Sequence, residues 1–186
     1  MSRRNTSRYV RWAGREQKPW QVVVTLVVGG SLFLAGLPLL LVAAAGRLEA
    51  RWGLRRFGTR IPVRVAGVLL LVAGGALASW SVRAQVRVGR GTPVPMIPTR
   101  RLVVVAPFTF CRNPMILGTA TAYLGLSVVI GSVAAVVLVT AFAGLLLVYV
   151  KVLEEKELEA RFGPAYVEYK RATPFLVPRR PRRSPT

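Results

Sequence analysis

CRNPMILGTATAYLGLSVVIGSVAAVVLVTAFAGLLLVYVKVLEE, residues 111–155, opens on Arg112 and closes on Glu154-Glu155, and no charged residue lies between Arg112 and Lys151. An apolar run of this length holds two membrane crossings of about 20 residues each and a tight turn. Asn113 is a favoured residue before a helix, and Pro114 suits its first position. Met115 through Ile130 make one crossing near the short limit, Gly131-Ser132 supply an uncharged turn, and Val133 through Val152 return. Such a hairpin returns its exit to the membrane face it left, so Arg112 and the two glutamates share a side.

The rest of the chain repeats this alternation. Over half of the 186 residues are hydrophobic (53%), yet the formal net charge is +20. The two properties are segregated, with long apolar runs between short arginine-rich ones, as in an integral membrane protein with basic flanks. Two further crossings are expected, Trp20–Gly46 and Ile61–Val82. The first is too long for a signal-peptide core despite Ala43-Ala44-Ala45, which resembles a cleavage site. Pro38 is expected to kink it, with neighbouring groups replacing the lost hydrogen bond. Gly67, Gly74, Gly75, Ala76 and Ala78 in the second allow close helix packing, although composition alone scatters glycines equally well. The expected fold class is therefore all-α: about four transmembrane helices, a long loop before the third, and an amphipathic C-terminal helix.

Four segments follow: a basic N-terminal stretch (1–19), two transmembrane helices (20–82), a site-bearing region with the hairpin (83–177) and a basic, disordered tail (178–186). Residues 83–113 carry Gly89, Gly91, Pro93, Pro95, Pro98 and Pro107, which preclude a long helix. Within them Leu102-Val103-Val104-Val105 reads as a strand-like or interfacial piece. After Glu155, Leu158 and Phe162 share one helix face, and Glu157 and Arg161 are spaced to pair. Gly163-Pro164 stops one helix and starts another. Tyr166, Tyr169 and Phe175 are candidate interfacial anchors.

With four crossings, the N-terminus, the 83–113 loop and the tail lie on one side, and their basic character assigns that side to the cytoplasm. The arginines of 47–60 then lie outside, unless residues 20–46 re-enter rather than span. Basic flanks next to apolar segments point to anionic lipid headgroups rather than nucleic acid.

Chemistry is narrowed by what is missing. The chain has no histidine, and its seven acidic residues are all glutamate. A histidine-based triad is thereby excluded, and with a single cysteine, Cys111, so is a His/Cys metal site. The helix start at Asn113-Pro114 offers unpaired N–H groups to a carboxylate or phosphate, and Arg112 adds a fork of donors. Glu154 and Glu155 offer acceptors to an ammonium or to sugar hydroxyls. A ligand with an anionic and a cationic end would suit both. On spacing alone the plainer alternative, charges that only mark the membrane boundary, is favoured.

The stretch Gly91–Pro178 shifts that balance. It reads Gly91-Thr92-Pro93, Pro98-Thr99, Leu102-Val103-Val104-Val105, Ala106-Pro107-Phe108 and Arg112-Asn113-Pro114-Met115-Ile116-Leu117-Gly118, then Glu154-Glu155, Leu158, Phe162-Gly163, Tyr166, Tyr169 and Val177-Pro178-Arg179. In order and spacing it resembles the carboxyl-terminal part of the isoprenylcysteine carboxyl methyltransferase and phospholipid methyltransferase superfamily, above all its small prokaryotic members.

The resemblance implies a methyltransferase of a prokaryotic cell membrane that uses S-adenosylmethionine and has its cofactor site towards the cytoplasm. The acceptor it implies is lipid-borne or a small apolar molecule. It also implies that Pro107, Arg112, Asn113, Pro114, Gly118, Glu154 and Glu155 bind the cofactor, with Arg112 and Glu155 catalytic and no metal. Some sterol reductases that use a nicotinamide cofactor resemble the same superfamily, and a non-enzymatic lipid-binding protein is a third reading. The chain departs from the family pattern at four places. Asn113 stands where eukaryotic members have histidine, Ile116 replaces a tyrosine, Ala106 a glycine, and Thr109-Phe110-Cys111 a more polar Arg-Tyr-Val. Cys111 itself is expected to be buried and inert.

Overall fold

A computed structural model describes residues 19–180 except 55, 59, 90–98 and 100. The basic stretch 1–18, the Gly91-Thr92-Pro93 segment with Pro95, Pro98 and Arg100, and the tail from 181 lie outside the described residues. Seven α-helices make up the chain: α1 (Pro19–Ser31), α2 (Leu37–Trp52), α3 (Ile61–Ala84), α4 (Pro114–Ile130), α5 (Val133–Tyr149), α6 (Glu155–Phe162) and α7 (Pro164–Ala172). Three π-turns, Leu32–Gly36, Gln85–Gly89 and Val150–Glu154, join or extend them. Val23–Trp52, Ile61–Gly89 and Val133–Phe162 are each long and apolar enough to cross a membrane, and α4 is a shorter apolar helix of 17 residues. The protein is an all-α integral membrane protein.

Several boundaries differ from the sequence expectation. The first span runs on past Gly46 through Arg47 and Arg51 to Trp52, and the second continues past Val82 to Gly89. Long arginine stems can lie along an apolar surface with their heads in water, so a charge does not end a helix. The Leu102–Val105 piece is not a strand: no strand occurs among the described residues, and no edge is available for it to pair with. Val103 instead packs its side chain with Ala84 and Phe108.

Pro38 is accommodated as expected, by a defined device. Leu37 N–H donates to the Leu32 carbonyl, an i→i−5 bond, so in this register the carbonyl facing Pro38 is that of Phe33. The Tyr123 hydroxyl donates to that Phe33 carbonyl oxygen. The donor that proline lacks is thus supplied from α4.

The chain forms two compact units. One comprises residues 30–79 and 115–148; the other holds the described part of 1–29, 80–114 and 149–186. In the first, α3 and α4 run antiparallel at backbone contact. A Cβ added at Gly74 would lie 2.3 Å from the Ala122 nitrogen, one at Gly118 2.6 Å from the Ala78 nitrogen, and one at Gly125 2.4 Å from the Leu71 nitrogen. Positions 67, 71, 74 and 78 form one helical face, and 118, 122, 125 and 129 the facing one. Small residues here let the two backbones meet, which in lipid is what holds helices together. Gly75, one residue round the helix, has no atom within 4 Å of an added Cβ.

The turn between α4 and α5 is closed by Gly131 N–H to the Val128 carbonyl (3.1 Å) and Ser132 N–H to the Ser127 carbonyl (3.1 Å), with Gly131 at φ 68°. This is a Schellman stop. Ser132 Oγ then accepts from Ala135 N–H at 3.0 Å and so caps α5. The buried Glu49 carboxylate accepts from the Ser132 hydroxyl and from Arg56 Nε (2.8 Å), while Phe57 N–H donates to the Gly131 carbonyl (2.9 Å). The 53–60 loop is thereby tied to the turn, and Glu49 gains two partners for a charge that would otherwise be costly to bury.

Candidate functional site

The second unit carries the site. Its base is the segment 101–111, folded into successive tight turns around a cis Ala106–Pro107 bond. Phe108 N–H donates to the Val105 carbonyl (2.8 Å) and Phe110 N–H to that of Pro107 (3.0 Å). Pro107, Cys111 and Pro114 are fully buried. The amphipathic tail packs onto this base. Gly163, at φ 57°, stops α6 by donating to the Glu159 carbonyl (2.9 Å), and its own carbonyl accepts from Tyr166 N–H (3.1 Å) at the start of α7.

Tyr166 and Tyr169 are not interfacial anchors: they are 2% and 7% exposed and form part of the core. Tyr169 donates its hydroxyl to the Phe108 carbonyl at 2.8 Å. Burial raises both phenols above their usual range; for Tyr166 the Glu155 charge adds to the effect and the Arg112 guanidinium opposes it. Tyr169→Phe is expected to cost about 1–3 kcal/mol, because the Phe108 carbonyl would remain buried without its donor. Thermal unfolding in detergent measures it.

At the centre, Arg112 meets Glu155, as the hairpin geometry requires. The guanidinium Nη1 donates to Glu155 Oε1, and the two side chains are only 8% and 3% exposed. Arg112 Nε donates to the Thr173 carbonyl (3.1 Å) and the Arg112 backbone N–H to that of Pro174 (2.9 Å). The Asn113 side-chain amide donates to the Phe175 carbonyl (2.9 Å), and Arg179 N–H to that of Phe110 (2.9 Å). Residues 173–179 are thus strapped across the start of α4. The donors that the sequence offers to a ligand are, in part, engaged by the chain's own tail.

Glu155 is shared among three cations. Besides Arg112, Lys170 Nζ lies 3.0 Å and Lys151 Nζ 3.4 Å from Oε2, and Lys170 also contacts Glu159 at 2.6 Å. Hydrogen bonds to Glu159 and Glu155 hold the Lys170 ammonium above its ordinary pKa. Arg112 and Lys151 both lie over the Phe175 ring, 5.4 and 5.0 Å from its centroid. Arg161, spaced to pair with Glu157, donates to the Thr99 carbonyl.

Of the residues singled out in the sequence, Arg112, Asn113 and Glu155 come together around the strap. Pro107 and Pro114 are buried in the turn and helix start that position them. Glu154 is exposed and forms no ion pair among the described residues; the π-turn that ends on it gives the neighbouring position to Glu155. Gly118 serves the contact of α4 with Gly74 and Ala78. The sequence reasoning missed Lys151, Lys170 and Thr173. Lys151 was detectable, four residues before Glu155 on a helix; Lys170 and Thr173 reach the node only through tertiary packing.

Cys111 is 1% exposed, and burial pushes its thiol up despite the Asn113 backbone N–H, which pulls the other way. The thiolate fraction at a given pH is therefore below that of a free thiol, and reactivity should rise only at higher pH. Maleimide labelling at neutral pH is expected to be slow in the folded protein and fast after denaturation, as mass spectrometry would show.

Residues 62–165 match the family model of phospholipid methyltransferases. No curated protein and no solved structure matches the chain. The matched region covers more than half of the 186 residues, including Arg112, Glu155 and the hairpin between them: the chain belongs to the phospholipid methyltransferase family, whose members are membrane methyltransferases.

Proposed function

We propose that the protein transfers a methyl group from S-adenosylmethionine to a lipid-borne or small apolar acceptor at the cytoplasmic face of the membrane. The observation that carries this is the buried Arg112–Glu155 node at the mouth of the hairpin, inside the family match. The donor set suits the cofactor's chemistry. Lys151 and Lys170 keep partly exposed ammonium groups for a carboxylate, and Glu154 keeps an exposed carboxylate for an ammonium or ribose hydroxyls. When bound, the cofactor supplies a methyl group already activated on a sulfonium.

The chain then has to bind, orient and exclude water. Arg112, held by Glu155 and the Thr173 carbonyl, fixes the strap and the start of α4 as one rigid wall. Positioning of donor and acceptor in line accounts for much of the acceleration in a displacement of this kind. No histidine is required: a carboxylate or thiolate acceptor has no proton to lose, and for an amine or hydroxyl the exposed Glu154 carboxylate can take it. Anionic lipid headgroups are the proposed partners of the basic flanks.

The experiment is a titration of the protein in nanodiscs with S-adenosylmethionine, S-adenosylhomocysteine and NADPH, alongside Glu154→Gln and Arg112→Ala. Binding of both sulfur compounds, weakened in each variant, supports the proposal; a folded protein that binds neither at millimolar concentration sinks it. Binding of NADPH alone would favour a reductase. Salt-sensitive lipid binding that survives loss of Glu154 and Glu155, with no nucleotide bound, would favour a non-enzymatic role. A labelled-methyl assay on membrane extracts then finds the acceptor.

A further inference from the structure

Gln85 opens the π-turn Gln85–Gly89, and its side-chain Oε1 is closed off from solvent with no hydrogen-bond partner among the described residues. Buried polar atoms in folded proteins are nearly always paired, and one left unpaired costs the full loss of its hydration. π-turns are themselves uncommon and recur at functional sites. The same kind of turn, Val150–Glu154, directly precedes Glu155 in this unit. Two unfavourable features thus coincide at Gln85.

The surroundings connect Gln85 to the site. Residues 80–89 lie flush on the segment that leads into Arg112: Trp80 meets Phe110 edge-on at 6.3 Å, and Ala84 and Val88 pack with Val103 and Phe108. A Cβ on Gly89 would come within 2.7 Å of the Thr99 methyl and 2.9 Å of Val103 Cγ2. Phe108 in turn accepts the Tyr169 hydroxyl. Gln85 therefore stands on the helix wall that backs the Arg112–Glu155 node.

We infer that Gln85 Oε1 is a ligand-binding group that accepts a hydrogen bond from a neutral N–H donor, the exocyclic amine of the cofactor's adenine. The assignment rests on the proposed methyl transfer and adds to it which end of the cofactor this wall reads. A neutral amide oxygen cannot compensate a buried ammonium, for which Glu154 is the suitable partner. A nucleobase amine brings no net charge, and its flat base suits the apolar neighbours Trp80, Ala84 and Val88.

The test compares wild type and Gln85→Leu in nanodiscs by calorimetric binding of S-adenosylhomocysteine and S-inosylhomocysteine, in which a carbonyl replaces the amine. Thermal unfolding is recorded without ligand. Wild type is expected to prefer the adenosyl compound at least about tenfold, since a site built to pair with an N–H rejects the analogue lacking it. Gln85→Leu should bind both alike, with an unliganded midpoint equal to or above wild type, because an unpaired polar atom has been removed.

A variant that keeps the full preference, weakens both compounds equally or unfolds at lower temperature overturns the assignment while leaving methyl transfer standing. Absence of any binding to wild type overturns the methyl-transfer proposal, and this contact with it. Loss of preference for a neutral amine on the acceptor, with the nucleoside preference intact, would place Gln85 at the acceptor and also overturn the assignment.

Discussion

Gly74→Leu is expected to leave little folded protein in the membrane, and Gly118→Leu likewise. A Cβ at Gly74 meets the Ala122 nitrogen at 2.3 Å, the Gly118 oxygen at 2.5 Å and the Ala122 Cα at 2.9 Å. All three are backbone atoms, so no rotamer change relieves the clash and α3 and α4 have to separate. Overpacking a core typically costs about 1–3 kcal/mol where side chains can shift; here they cannot, and the cost should exceed that range. Separation would also undo the neighbouring contacts, Gly118 on Ala78 and Gly125 on Leu71, since all belong to one antiparallel seam. Gly75→Ala is the control, with open space at its Cβ and about 1 kcal/mol of helix propensity to gain. Fluorescence-detected size exclusion after a temperature ramp distinguishes the two: an intact peak for Gly75→Ala and aggregation for Gly74→Leu. If Gly74→Leu ran as a stable monomer, α3 and α4 would not be in backbone contact.

The apolar runs were legible because a bilayer demands them, and so were the breaks. Gly131-Ser132 and Gly163-Pro164 end and start helices by backbone chemistry that local sequence encodes. Arg112 meeting Glu155 was legible too, since a hairpin with a central turn returns its exit to its entrance. Other features depend on information that no local window holds. Arg47, Arg51 and Arg87 mark a change in polarity, yet the helices run through them. Leu102–Val105 has strand-forming residues and no neighbouring edge. Tyr166 and Tyr169 have the composition of interfacial anchors, and only the fold of α7 onto 101–111 reveals them as core. Glu154 and Glu155 are equivalent until the π-turn between 150 and 154 sets which of them faces Arg112. Among the glycines of α3, Gly74 and Gly75 separate only when the face carrying Gly67 and Ala78 is matched to Gly118, Ala122 and Gly125.

Glu155→Gln is expected to abolish cofactor binding and lower stability sharply, whereas Arg112→Met combined with Glu155→Leu should recover much of the stability alone. Glu155 is 2% exposed and neutralises a guanidinium that is itself nearly sealed. Removing one member of such a pair costs about 3–5 kcal/mol, because the partner stays buried with its charge uncompensated. Lys170 lies 3.0 Å away and Lys151 3.4 Å, so the glutamine variant leaves three cations facing each other across a neutral amide. Replacing both residues by apolar ones removes the buried charge, and such swaps are often neutral for folding. Ligand binding should not recover with it: Arg112 would no longer hold the Thr173 carbonyl, and the wall formed by the strap and α4 would lose its fixed position. Unfolding midpoints and S-adenosylhomocysteine titrations on the two single variants and the double variant form a cycle whose two readouts should diverge. If the double variant bound the nucleoside as wild type does, the pair would be a structural clamp and the binding site would lie elsewhere in the unit. Divergence would instead show that the buried charge is kept for the geometry it imposes on the strap, at a net cost to folding.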